Sequence, residues 1–117
     1  MTATALFHNP RCSKSRAALA LLHGRGVSPR IVDYLAAPPS ADQLRTLLRQ
    51  LGLPARDLLR SGEAEYAELG LADPALDEAQ LIAAMAAHPR LIERPVFVAG
   101  DRAVIGRPSE RVLELLD

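Results

Sequence analysis

The alternation of apolar and polar positions at the start of the chain predicts a strand, a helix and a second strand. The short apolar run Thr4–Phe7 is typical of a β-strand, and residues 17–22 favour a helix with Ser13 as its N-cap. Residues 31–34, which include Ile, Val and Tyr, predict the second strand. A βαβ unit of this length places its two strands parallel, with a right-handed crossover.

Residues 40–88 are predicted to be almost entirely helical. Ser40 and Gln43 have the spacing of a capping box, and so do Asp77 and Gln80. Four leucines follow the first box at the spacing of one helix face: Leu44, Leu47, Leu48 and Leu51. Three further helical segments are predicted, at 55–60, 63–69 and 77–88.

The last third of the chain returns to a period of two. Residues 95–98 and 103–105, separated by Ala-Gly-Asp-Arg, predict a β-hairpin, and Pro108 suits the first position of a final helix. The order βαβ, helices, ββα predicts an α/β, thioredoxin-like fold: a small mixed four-stranded sheet with flanking helices and an inserted helical lobe. We expect a single domain over residues 1–117, with the helical insertion at about 40–88.

Composition and charge exclude several classes of protein. The chain has 117 residues, 14 Lys and Arg against 14 Asp and Glu, and a net charge of +0, which excludes a broad attraction to nucleic acid. Its 49% of hydrophobic residues can form a core, but no run approaches the roughly 20 that span a bilayer. One cysteine excludes an internal disulfide, and three scattered histidines predict no metal site. The first residues lack the basic segment of a signal peptide, so we expect a cytoplasmic protein that binds no membrane. We expect a monomer, because the predicted elements leave no apolar stripe over for a partner.

Cys12 is the first candidate for chemistry, because it lies at the start of the predicted first helix. The N–H groups and dipole of a helix N-terminus favour a thiolate. Ionising a thiol of pKa near 8.5 at neutral pH takes about 3 kcal/mol, of which the dipole supplies about 0.3–1 kcal/mol, so neighbours must contribute. The polar and basic residues within four positions are His8, Arg11, Lys14, Ser15 and Arg16. A lone cysteine is otherwise often a buried apolar residue, but these surroundings favour a reactive thiol.

Position 15 narrows the type of reactive cysteine. Ser15 stands where a dithiol motif has its second cysteine, so a covalent state at Cys12 needs an external thiol such as glutathione or a glutaredoxin. A tyrosine phosphatase-type loop places five residues between its Cys and its Arg, whereas position 18 is Ala here. Of the 14 basic residues only Lys14 is a lysine, so 13 are arginines, which suit bidentate binding of an oxyanion.

The segment HNPRCSKSR, residues 8–16, strongly resembles the active-site loop of the glutaredoxin-dependent arsenate reductase family, in its short arsenate reductase-like branch. The resemblance covers the whole chain. The other matching segments, in family order, are Tyr34-Leu35, Pro38-Pro39, Leu58-Leu59-Arg60, Tyr66 with Leu69-Gly70-Leu71, His88-Pro89, Arg94-Pro95 and Arg107-Pro108-Ser109-Glu110.

The resemblance implies that the protein reduces arsenate to arsenite through a covalent adduct on Cys12. In this family the thiolate attacks arsenic, glutathione reduces the adduct, and a glutaredoxin clears the mixed disulfide that forms on the cysteine. Glutathione is then a co-substrate, and no cofactor is bound.

The same resemblance implies roles for particular residues. The oxyanion-binding arginines are Arg60, Arg94 and Arg107. His8 supports the Cys12 thiolate electrostatically, and Ser15 hydrogen-bonds it. The supporting residues are Asn9, Arg16 and Pro95. Pro95 is implied to follow a cis peptide bond beside the nucleophile, and three guanidinium groups suit a tetrahedral oxyanion.

Two other functions stay open. A thiol enzyme of this fold could act on another oxyanion or on glutathionylated substrates. Arg11 and Lys14 suit such an anion, since they add charge where better-studied family members have small or neutral residues. Some proteins that resemble the family are redox-sensing regulators that bind RNA polymerase and have a Cys-x-x-Cys switch in this loop. Ser15 and the filled arginine positions favour the enzyme.

Overall fold

A computed structural model describes residues 3–116, and the chain divides into two structural units. The first unit consists of residues 1–37 and 94–117, and the second of residues 38–93. The single domain with a helical insertion at about 40–88 stays a prediction. No helix in the part of the chain that the structure describes is long and apolar enough to cross a membrane.

The first unit contains a mixed four-stranded sheet in the order β2-β1-β3-β4. Its strands are β1 (Thr4–Phe7), β2 (Arg30–Val32), β3 (Val96–Ala99) and β4 (Arg102–Ile105). The parallel pairing of β1 with β2 and the β3–β4 hairpin are both confirmed. Strand β1 runs antiparallel to β3, which places β1 and β3 in the centre of the sheet.

The second strand is shorter than predicted, because the chain turns directly after Val32. The Asp33 side chain accepts a hydrogen bond from the backbone N–H of Ala36, and the Asp33 carbonyl accepts one from Ala37. Tyr34 therefore lies in this turn and is fully buried. A side-chain bond of this kind favours a turn over continued strand pairing.

Two helices pack against one another in the first unit: α1 (Ser13–Gly24) and a C-terminal 3₁₀ helix (Ser109–Leu115). The N-cap of α1 is Cys12 rather than Ser13, and Pro108 is the residue before the last helix rather than its first. Over seven residues, periods of 3.0 and 3.6 bury nearly the same positions, so the sequence could not distinguish a 3₁₀ helix from an α-helix. The buried core of this unit consists of Leu6, Ala18, Leu22, Phe97, Val104 and Val112.

The second unit is helical, as predicted. Its helices are α2 (Ala41–Leu51), α3 (Ala64–Glu68) and α4 (Glu78–Ala87), with 3₁₀ helices at Ala55–Leu58 and Pro89–Leu91. Both capping boxes are present, with Ser40 paired to Gln43 and Asp77 paired to Gln80. Helix α2 packs against α4 through the leucine face that the spacing predicts, and Gly52 ends α2 with a positive φ of 69°.

Candidate active site

Cys12 lies in the loop between β1 and α1, where it forms the N-cap of the helix. Its backbone N–H donates to the Asn9 carbonyl at 3.0 Å, and its own carbonyl accepts the first helical bond from Arg16. The loop turns tightly at this point, and the thiol is half-buried rather than enclosed. The sulfur therefore lies at the positive end of the α1 dipole and stays accessible to a small reactant.

The surroundings of Cys12 stabilise its thiolate. Burial acts to raise the pKa of the thiol, since it disfavours a charge. The backbone N–H groups of Ser15 and Lys14 and the side chain of Arg94 oppose burial and hold the pKa below its ordinary value. Arg107 adds a donor, since its Nη2 lies 3.7 Å from Cys12 Sγ. These donors provide the additional stabilisation that a helix dipole alone does not supply.

The register of the sheet explains why these arginines meet the cysteine. Phe7 at the end of β1 pairs with Val96 at the start of β3, which pairs in turn with Ile105 at the end of β4. The loop after β1, the residues before β3 and the residues after β4 therefore leave the sheet at the same end. Only this pairing, and no local signal, brings the cysteine and its two arginines together.

Arg94 and Arg107 are linked directly to one another. Arg107 Nε donates to the Arg94 carbonyl at 2.7 Å, which directs the rest of its guanidinium towards Cys12. Each arginine precedes a proline through a cis peptide bond. The cis bond before Pro95 confirms the expectation from the resemblance, whereas the cis bond before Pro108 was not predicted.

His8 and Ser15 form a buried polar pair beside the cysteine loop. His8 Nδ1 lies 2.7 Å from Ser15 Oγ, and the same hydroxyl accepts the backbone N–H of Asn9 at 3.1 Å. Burial is the main cause that lowers the pKa of His8 from 6.5; Asp33 acts in the opposite direction and Arg16 in the same direction. Burial therefore favours the neutral form of the His8 imidazole.

The remaining polar groups of the loop stabilise its conformation. Asn9 Oδ1 accepts the backbone N–H of Arg11 at 3.0 Å, and Arg16 Nη1 donates to the Pro10 carbonyl at 3.0 Å. The side chains of Arg11 and Lys14 are exposed. The loop thus presents cations to solvent around a thiol whose own position is set by backbone contacts.

Arg60 belongs to the second unit, where carboxylates surround it. Its Nη1 lies 3.1 Å from Glu93 Oε1, and its Nε lies 3.3 Å from Glu63 Oε1. The Arg60 backbone N–H donates to the Leu91 carbonyl, next to the bridge between Leu59 and Ile92. Its guanidinium is therefore held in place and largely neutralised, by Glu63 three residues along the chain and by the distant Glu93, whose contact no local signal indicates.

Two residues near the site were missed by the sequence analysis. Ser109 is buried and donates through Oγ to the Lys14 carbonyl at 3.1 Å. A Cβ on Gly106 would approach Pro95 Cγ to 2.9 Å, so this glycine leaves room for the proline ring. Both lie within three residues of Arg107, and the hydroxyl directly after the Arg-Pro pair was the only signal in the sequence. Among residues 3–116, no group of three or more His, Cys, Asp and Glu could hold a metal ion.

A thioredoxin-like fold with one activated cysteine at the N-terminus of its first helix, and arginines beside the sulfur, defines a class of cysteine-dependent enzymes. Residues 7–115 match the sequence model of the ArsC family, and the chain belongs to that family. The resemblance seen in the loop is thereby confirmed over almost the whole chain.

Individual relatives agree with this assignment. The chain is 53% identical over 112 residues to the uncharacterized protein YfgD of Escherichia coli strain K12. This alignment covers 95% of this chain and 94% of YfgD. It is 47% identical over 112 residues to the arsenate reductase of Neisseria meningitidis serogroup B strain MC58, covering 95% and 96% of the two chains. The solved arsenate reductase from Vibrio cholerae has a TM-score of 0.95 and 47% identity, covering 97% of this chain and 98% of that one.

Proposed function

We propose that this protein reduces arsenate to arsenite through a covalent adduct on Cys12, with glutathione and a glutaredoxin as reductants. The observation that carries the proposal is the position of the Cys12 thiolate beside Arg94 and Arg107. A thiolate and an arsenate anion repel one another, and two guanidinium groups at the sulfur offset that repulsion. The ArsC relatives that are named arsenate reductases support arsenate, rather than another oxyanion, as the substrate.

The first step forms the adduct. The Cys12 thiolate attacks the arsenic of dihydrogen arsenate, a sulfur–arsenic bond forms, and a hydroxide leaves and takes a proton to become water. Charge is conserved, because one thiolate and one monoanion give one anionic adduct and one hydroxide. Arsenic stays As(V) in this step. The donors around the sulfur favour the step because they lower the pKa of the thiol and so raise the fraction of Cys12 that is ionised.

The second step transfers two electrons. A glutathione thiolate attacks the sulfur of Cys12, the sulfur–arsenic bond breaks, and its electron pair stays on arsenic, which becomes As(III). The two sulfurs are oxidised to a mixed disulfide, and the arsenite takes up protons from water. Since Cys12 is the only cysteine of the chain, no internal thiol can resolve this disulfide. A glutaredoxin thiol therefore attacks it and releases the Cys12 thiolate, which places the enzyme in a reducing compartment such as the cytoplasm.

We assign oxyanion binding to Arg60, Arg94 and Arg107, as the resemblance implies. The contacts of Arg94 and Arg107 with Cys12 support two of these assignments. We also assign electrostatic support of the Cys12 thiolate to His8 and a hydrogen bond to that thiolate to Ser15, and the 2.7 Å contact of His8 Nδ1 with Ser15 Oγ supports a joint role beside the loop. Asn9 and Arg16 support the loop: the Asn9 carbonyl accepts the backbone N–H of Cys12, and Arg16 Nη1 donates to the Pro10 carbonyl. Pro95 follows Arg94 through a cis peptide bond.

The test is arsenate-dependent consumption of NADPH in an assay coupled through glutathione, glutaredoxin and glutathione reductase. We expect a rate from the wild-type protein and none above background from Cys12→Ser. A second control, Cys12→Ser combined with Ser28→Cys, returns one cysteine at an exposed position and should also be inactive. Equal rates from the wild type and Cys12→Ser would refute the nucleophile.

The same assay also addresses the first alternative, a thiol enzyme with a different substrate. A folded protein with a reactive Cys12 but no arsenate-dependent rate would contradict arsenate as the substrate. In that case a Cys12-dependent rate on a glutathionylated peptide would identify the protein as a thiol enzyme for that class of substrate.

A further inference from the structure

Ser109, the first residue of the C-terminal 3₁₀ helix, is hydrogen-bonded to the first turn of α1. Its hydroxyl donates to the Lys14 carbonyl at 3.1 Å, across 95 positions of sequence. The residue is 6% exposed, so this bond is shielded from water. A carbonyl in the first turn of a helix pairs with an N–H four residues later, and its second lone pair is free to accept this hydroxyl.

The Lys14 carbonyl belongs to the same peptide group as the Ser15 N–H. That N–H is one of the donors that stabilise the thiolate of Cys12. A hydrogen bond donated to the oxygen of a peptide group draws electron density away from its nitrogen, so the N–H becomes a stronger donor. Bonds in such chains strengthen one another by about 10–30% each. The hydroxyl, the peptide and the sulfur thus form one chain of hydrogen bonds.

Ser109 also lies two residues after Arg107, whose Nη2 is 3.7 Å from Cys12 Sγ. The segment between them is held at both ends within the first unit. Arg107 Nε donates to the Arg94 carbonyl at 2.7 Å, and Ser109 Oγ donates to the Lys14 carbonyl. The bond from Ser109 therefore fixes the distance between the segment that carries the guanidinium and the turn that carries the thiol.

We propose that Ser109 is a positioning residue for Cys12, whose hydroxyl orients and polarises the Lys14–Ser15 peptide towards the sulfur. The inference rests on the proposed role of Cys12 as nucleophile and extends it to a residue that touches neither the sulfur nor the substrate. It predicts that the hydroxyl, and not merely the volume of the side chain, sets the reactivity of the thiol.

The experiment measures the rate of Cys12 alkylation by iodoacetamide between pH 5 and pH 10, which needs neither arsenate nor glutathione. We expect Ser109→Ala to lower the rate at pH 6.5 by about threefold or more, because a smaller fraction of the thiol is ionised. We expect the rate above pH 9.5, where the thiol is ionised in both proteins, to change little. Ser28→Ala, which removes an exposed hydroxyl from the same unit, should leave the whole profile unchanged.

A second pair of variants separates the hydroxyl from packing. Ser109→Thr and Ser109→Val have nearly the same shape and differ in one hydroxyl, so this pair carries the test if Ser109→Ala does not fold. We expect Ser109→Thr to react like the wild type and Ser109→Val to react like Ser109→Ala. Identical pH profiles for Ser109→Thr and Ser109→Val, or an unchanged profile in folded Ser109→Ala, would overturn the proposal. A failure to reduce arsenate would leave this result intact, since alkylation reports on the thiol alone.

Discussion

Arg107 Nη2 lies 3.7 Å from the sulfur of Cys12, although 95 residues separate the two in sequence. The contact depends on Arg107 Nε, which donates to the Arg94 carbonyl at 2.7 Å and so fixes the direction of the guanidinium. Arg107 thus uses one guanidinium nitrogen, Nε, to hold its position and presents a second, Nη2, to the sulfur. A lysine carries its three donors on one nitrogen, so it cannot reach the two acceptors from two separated nitrogens as Arg107 does.

The first prediction concerns this double contact. We expect Arg107→Ala to lower kcat/KM for arsenate by about a hundredfold, the usual cost of removing a donor to a developing oxyanion. We expect Arg107→Lys to restore only a small part of the loss, because it returns the charge without the Nε hydrogen bond to the Arg94 carbonyl. Arg102→Ala, which removes an exposed arginine from β4, is the control and should retain wild-type kcat/KM. Full activity in Arg107→Lys would contradict the geometric argument.

The second prediction concerns the dependence of stability on pH. The pKa of Cys12 is lower in the folded protein than its ordinary value, so between these two pKa values the unfolded chain binds more protons. The free energy of unfolding must therefore rise with pH in this window, and the contribution is lost as pH falls through the folded pKa. We expect the difference between the wild type and Cys12→Ser, measured by urea unfolding with reductant present, to grow from pH 6 to pH 9. A difference independent of pH would show that the fold does not stabilise the thiolate.

The third prediction concerns the carboxylates around Arg60. Glu93 Oε1 lies 3.1 Å from Arg60 Nη1, so Glu93→Gln removes a negative charge and keeps the side-chain shape. If Arg60 binds the oxyanion, we expect the KM for arsenate to fall by about two- to fivefold, as for a partly exposed ion pair. Asp42→Asn is the matched control, because it breaks the exposed pair of Asp42 with Arg45 and should leave KM unchanged. An unchanged or higher KM in Glu93→Gln would argue against an oxyanion role for Arg60.

The fourth prediction concerns the packing of Gly106 against Pro95 and Val112. A Cβ at Gly106 would lie 2.9 Å from Pro95 Cγ and 3.0 Å from Val112 Cγ1, and both neighbours are buried. We expect Gly106→Ala to lower the free energy of unfolding by about 1–3 kcal/mol, the usual cost of an overpacked core. In Gly24→Ala the new Cβ meets nothing within 4 Å, and this change at the end of α1 should be neutral or stabilising. Urea unfolding measures the free energy of unfolding of the two variants and the wild type. Equal values for Gly106→Ala and Gly24→Ala would contradict the close contact at Gly106.

The sequence by itself determined the features that depend on neighbouring residues. Ser40 with Gln43 and Asp77 with Gln80 predict the starts of α2 and α4, because a capping box is satisfied within four residues. The hairpin of β3 and β4 follows from alternation around a glycine turn. The position of Cys12 at the start of a helix also follows from local signals. The HNPRCSKSR loop, together with the other matching segments along the chain, predicted the family that residues 7–115 match.

The family resemblance named Arg94 and Arg107, but only the tertiary structure showed how these distant groups, and Ser109 with them, reach Cys12. Nothing local distinguishes Arg94 and Arg107 among 13 arginines, or Ser109 among the serines, because their contacts arise from the alignment of β1, β3 and β4 at one end of the sheet. The neutralisation of Arg60 by Glu93 spans 33 positions and was equally invisible in the sequence. The physical reason is the same in each case. A helix cap or a turn gains its hydrogen bonds within a few residues, whereas the charge and polarity around a thiol are set by groups that only the folded chain brings within a few ångströms of one another.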